Sequence, residues 1–75
     1  MKKATRIDNL HQAIELIHEA VGLIRWSVDG TGEEGMANAY IIPHLENWAE
    51  GINRYDHTLP RIIENLENEY EDPED

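Results

Sequence analysis

Ile7, Leu10, Ile14, Ile17, Val21, Ile24 and Val28 fall on an unbroken 3-4-3-4-3-4 spacing. This is the a/d pattern of a heptad repeat, and a helix that carries it cannot bury the stripe alone. The chain is therefore built to press one long helix against others, in itself or in a second copy. At 1.5 Å per residue, a helix over residues 6–28 makes a rod about 35 Å long. Its flanks are those of a bundle helix. Ala13, Ala20 and Ser27 at the g positions are small enough to let a neighbour approach, and Leu16 and Leu23 at c widen the apolar stripe.

Local signals divide the rest of the chain. Thr5-Arg6-Ile7-Asp8 places a hydroxyl at N-cap and an acid three residues on, and Asp29-Gly30 supplies a stop with glycine for the left-handed position. Thr31 and Glu34 repeat the capping pattern after a glycine-rich turn. Ala37, Ile41, Leu45, Trp48, Ile52 and Tyr55 then predict a second helix over 32–55, with those residues as its inward seam. Pro43 lies inside it, so the helix is expected to kink or break near Ile42-Pro43. Thr58-Leu59-Pro60 caps a third helix over 59–71, carried by Leu59, Ile62, Ile63, Leu66 and Tyr70. Residues 72–75 read as a disordered acidic tail, leaving 1–71 as a single helical domain.

The predicted fold is all-α: an antiparallel hairpin of two long helices, with the short third helix across one end. Chains of 75 residues bury only about 60% of their unfolded surface, and this one has no cysteine to supplement a small core. Leu16, Leu23, Trp26, Tyr40 and Trp48 exceed what one hairpin needs. A homodimer that pairs two hairpins into a four-helix core is the expected remedy, with the Ile7-to-Val28 stripe as its seam.

Sixteen acids face six lysines and arginines, for a net charge of −10, and no lysine follows position 3. Such a surface repels phosphate backbones and anionic lipid, which argues against direct nucleic-acid or membrane binding. No apolar run approaches the ~18 residues of a membrane span. No apolar stretch follows Lys2 and Lys3 as a signal peptide requires, so the cytoplasm is the expected compartment.

Chemistry has weaker signals. Asp8, His11, Glu15 and His18 share one helical face, and Glu15-Leu16-Ile17-His18 has the Glu-x-x-His spacing of carboxylate-bridged bundles. With Glu50 or Glu46 from the second helix, a homodimer would duplicate that set as a metal site. The pair Glu15 and His18 borders the seam, however, and a solvated face with helical side-chain pairing is the favoured reading. His44 and His57 have no partner in sequence, though His44 follows Pro43 and could serve a carbonyl freed there. Ser27 lacks an activating base at a suitable spacing. The turn Gly30–Gly35 lacks the lysine of a phosphate loop and carries two glutamates. The chain reads as a non-enzyme without a cofactor.

What remains is surface. Trp26, at an f position opposite the seam, is either covered by the third helix or an exposed anchor for a partner, whereas Trp48 reads as core. Glu64, Glu67 and Glu71 head an acidic run that could imitate spaced phosphates in a basic groove. The segment Ala39-Tyr40-Ile41-Ile42-Pro43-His44-Leu45, with a heptad helix before it and Ile62-Ile63-Glu64-Asn65-Leu66-Glu67 after it, resembles small uncharacterised all-helical proteins of bacteria and their phages. The resemblance covers about two-thirds of the chain and implies an accessory protein, without an activity or site residues. The expected function is an acidic helical interaction module or inhibitor that self-associates and engages a basic protein surface. The alternative is the metal-binding bundle across a homodimer.

Overall fold

The computed structural model describes residues 2–52 and 55–69; the acidic tail 72–75 and Glu71 lie outside them. Every regular element among the described residues is helical. Helix α1 spans Lys3–Val28. A continuous helical run over 34–50, here α2, joins Glu34–Met36, a π-helical turn Ala37–Ile41, and Ile42–Glu50. A 3-10 turn at Tyr55–His57 leads into α3, Leu59–Glu69. No described helix is long and apolar enough to cross a membrane.

Helix α1 starts earlier than its sequence signal. Lys2 occupies the N-cap without a side-chain hydrogen bond, and Thr5, the expected cap, lies inside the first turn. The added turn is anchored by a tertiary contact: Lys3 Nζ donates to the Glu67 carbonyl at 2.9 Å. A cation there also complements the negative end of the α3 dipole. At the other end Gly30 takes φ +76°, the left-handed backbone expected of it.

Thr31 then closes the turn. Its hydroxyl donates to the Val28 carbonyl (2.6 Å) and accepts the Glu33 N–H (3.2 Å). Glu34 reaches back to the Gly30 N–H at 3.1 Å, one residue beyond the Thr31 N–H that a capping box would use.

Pro43 neither ends the second helix nor leaves it purely α-helical. Proline has no N–H to donate, and its ring would meet the carbonyl four residues back. The chain relieves this by widening the preceding turn, and Ile42 N–H bonds the Ala37 carbonyl five residues back. The helix stops at Glu50 and does not run to Tyr55. Gly51 adopts φ 73°, ψ 32° and donates to the Asn47 carbonyl at 2.7 Å. That left-handed cap is cheap only for glycine, so the stop is encoded locally. Thr58 caps α3 as expected, with Oγ1 accepting the Arg61 N–H at 3.4 Å.

Helix α2 packs on the C-terminal half of α1, and α3 on its N-terminal part. Arg25 pairs with Glu46 and His18 with Glu50, each at 3.2 Å, so the two partners are met in opposite order. The Lys3–Glu67 contact continues that order into α3. Buried apolar residues at these junctions are Val21, Ala37, Ile42, Ala49 and Ile63. Of the a/d stripe only Val21 is fully buried, and the other six are half-buried.

The Cα extents are 52 × 20 × 11 Å. Two stacked helix layers, with axes 8–10 Å apart and Cα cylinders about 4.6 Å wide, need about 13–15 Å. The molecule is therefore a slab one helix thick. A single layer has an edge contact where an ordinary domain has a core between layers.

Candidate interaction surface

The second helix carries two apolar stripes. Ile42 and Ala49, seven residues apart, face α1 and are each 2% exposed. Ile41, Leu45, Trp48 and Ile52 form the other, which the spacing predicts as the inward seam. The structure turns it outward: Trp48 is 48% exposed and Ile52 65%, with Ile41 also exposed and Leu45 half-buried. The reason is steric. Ala49 lets the α1 backbone come close, whereas the bulk of Trp48 would hold the two helices apart. Trp48 is thus not a core residue.

Tyr40, Ile41, His44, Leu45 and Trp48 line a shallow, almost wholly apolar depression of about 340 Å³. All five come from α2, so it is a helix face and not an enclosed cavity. The π turn contributes to it. With more residues in the turn, each advances by a smaller angle than in an α turn, which swings Tyr40 towards the line of His44 and Trp48. His44 lies along the Trp48 ring, with centroids 6.2 Å apart and planes at 34°. The role considered for His44, serving a carbonyl freed by the proline, is replaced by this contact. The sequence signal for an outward stripe was the presence of Ile42 and Ala49 on a second, smaller face.

Trp26 is 81% exposed, not covered by the third helix. Glu64 and Glu67 are exposed as well, and Glu64 lies 3.9 Å from Arg61. They do not join Trp26 in one patch. Glu67 sits against Lys3, and Trp26 stands about 35 Å further along α1.

The polar stripe of α1 becomes a ladder to α2. His18 Nε2 meets Glu50 Oε1 at 3.2 Å, with side chains 41% and 44% exposed, and Arg25 meets Glu46 about two turns further along α1. Two of the three candidate metal ligands, His18 and Glu50, are therefore together. Glu15 is exposed on the α1 surface, and no group of three or more His, Cys, Asp or Glu among the described residues has the geometry to hold an ion. Half-exposed pairs of this kind hold orientation more than they add stability, each contributing about 0–1 kcal/mol. His57 and Ser27 are exposed. In the turn after α1, the Gly30 and Glu33 amides are bonded to Glu34 and Thr31, so these donors are already occupied.

Comparison of the chain with family models, with curated proteins and with solved structures finds no match.

Proposed function

We propose that this protein is a non-enzymatic helical interaction module that supplies half of a core and takes the other half from a partner. Its unit is the hairpin of α1 with α2, extended by α3, and two such units pair into a four-helix bundle. The observation that carries this reading is the 11 Å thickness of the slab, with large apolar side chains such as Trp48 and Ile52 left uncovered. Layered domains bury an apolar face against a second layer, and this chain supplies only one. The net charge of −10 keeps such a unit soluble and favours basic protein surfaces as further partners, in the manner of an accessory protein or inhibitor.

The test is the mass in solution with the melting temperature followed across a wide concentration range. A self-pairing module gives a dimer mass and a melting temperature that rises with concentration, because association stabilises only the folded chain. A monomer at every concentration, with an invariant melting temperature, would sink the self-pairing reading.

A further inference from the structure

We infer that the back of α1, the side turned away from α2 and α3, is a docking strip for a basic amphipathic helix of another protein. This goes beyond the self-pairing proposed above and rests on that reading only where it names basic surfaces as further partners. Val21, the buried residue of α1, marks the direction of the packed side. At 100° per residue, Leu16, Leu23 and Trp26 lie within about 40° of the opposite direction, and Asp8, Glu15 and Glu19 within about 60° of it. The three apolar side chains are 55%, 64% and 81% exposed, and the three carboxylates are exposed as well. Lys3, Arg6 and Arg25 instead lie within about 60° of Val21 itself. Helix α1 is therefore segregated by charge. Its cations are on the packed side, where Lys3 meets α3 and Arg25 meets α2, and all its acids are on the back. From Asp8 to Trp26 the strip is about 27 Å long.

Charge complementarity names the occupant. The ion pairs among the described residues use Glu46, Glu50 and Glu64, and none of the three acids on the back. Glu15 and Glu19 are one turn apart, a like-charge pair that weakens a helix by itself and that a cation from outside relieves. Leu16 and Leu23, seven residues apart, give two anchors in line on the same face, the spacing at which an amphipathic helix is read. The matching surface is a helix with apolar residues at that spacing, flanked by lysine or arginine. A phosphate backbone or an anionic bilayer has the wrong charge. A second copy is no better suited. Only three arginines follow Arg6, and Arg25 and Arg61 each sit beside a glutamate of their own chain.

The probe is a synthetic helix of about 18 residues, the length of the strip, with leucines along one face and lysines flanking them. Its dye-labelled form is titrated with the protein at several salt concentrations and followed by fluorescence anisotropy. The parent is expected to bind it, more weakly as salt rises. The double variant Leu16→Ala with Leu23→Ala is expected to lose about tenfold or more in affinity. Glu15→Gln with Glu19→Gln should lose as much and flatten the salt dependence. All four positions are exposed, and circular dichroism checks that both variants stay helical. Glu64→Gln with Glu67→Gln removes the same charge from α3 and should stay within about twofold of the parent, because salt confines charge effects to near neighbours. Equal weakening by the α3 pair would mean diffuse attraction to the net charge and would overturn the strip. So would a parent that ignores the peptide, or a leucine variant that binds like the parent. The mass in solution is a separate outcome. A dimer that ignores the peptide removes the strip and keeps self-pairing, whereas a monomer that binds it through Leu16 and Leu23 keeps the strip and removes self-pairing.

Discussion

Ile41 and Ile42 are the same residue at adjacent positions, yet one is 43% exposed and the other 2%. They head the two stripes of α2, and the contrast shows what spacing does and does not encode. Ile41, Leu45, Trp48 and Ile52 have the longer and bulkier pattern, so periodicity alone marks them as the buried side. Ile42 and Ala49 win that place in the single chain because close approach of two helices favours a small residue at the contact. The bulk is left outside, where the proposed pairing would use it. The second helix therefore has two apolar faces, of which the chain itself covers one.

The largest effect expected from breaking this contrast is at Ile42. Ile42→Ala should cost about 2–4 kcal/mol of folding stability, the range for deleting a fully buried aliphatic side chain. Ile41→Ala at concentrations low enough to keep the chain monomeric should cost under about 1 kcal/mol. Urea denaturation of both variants at micromolar concentration checks the difference; equal costs would mean that the two stripes are not distinguished in solution. Trp48→Ala sharpens the contrast from the other side. It should weaken association by about 2 kcal/mol or more, as loss of an interface tryptophan commonly does, with little change in helicity. Dilution measured by sedimentation equilibrium reads the shift in dissociation constant directly.

Which parts were legible follows from the range over which each is decided. The left-handed Gly30 and the cap at Thr58 are settled by a few neighbouring residues, and the structure uses both. Thr31 and Glu34 close the turn rather than cap a helix, which starts only at Glu34 with Glu33 at an N-cap that has no side-chain bond. Thr5 carries the same kind of signal and is not used, because Lys3 finds the end of α3, sixty-four residues away in sequence. Pro43 announced a disturbance. Its form, a π turn within a continuous helix, depended on how the remaining carbonyls could be rearranged. The stop at Gly51 was legible from glycine itself, and the apolar phase through Ile52 and Tyr55 obscured it. The candidate surface was half visible: its residues stood out by bulk, and the direction they face is a property of the α1 contact. His18 and Glu50 were named together as ligands, and they meet at 3.2 Å, so the register between the two helices was in part readable from the residues.

Smaller effects test the same distinction between local and tertiary control. Thr58→Ala should cost about 1 kcal/mol through loss of the hydroxyl that accepts the Arg61 N–H. Thr5→Ala should be neutral within about 0.5 kcal/mol, or slightly stabilising, since alanine is the better residue within a helix. Thermal melts of the two variants side by side decide between them; a costly Thr5→Ala would restore the later helix start.

The smallest effect is expected at Glu50. Its contact with His18 is half exposed on both sides, so Glu50→Gln should change stability by less than about 0.5 kcal/mol after allowance for solvent screening. Removing one negative charge from a chain at −10 offsets part even of that. The same variant separates the ion-pair reading from the metal reading. A zinc site that used His18 and Glu50 would stabilise the parent by about 2.7 kcal/mol at a hundredfold excess over its dissociation constant, and Glu50→Gln would lose most of that gain. With a ladder that only orients α2 on α1, zinc leaves parent and variant melting alike, and the face opposite Trp48 stays a solvated one.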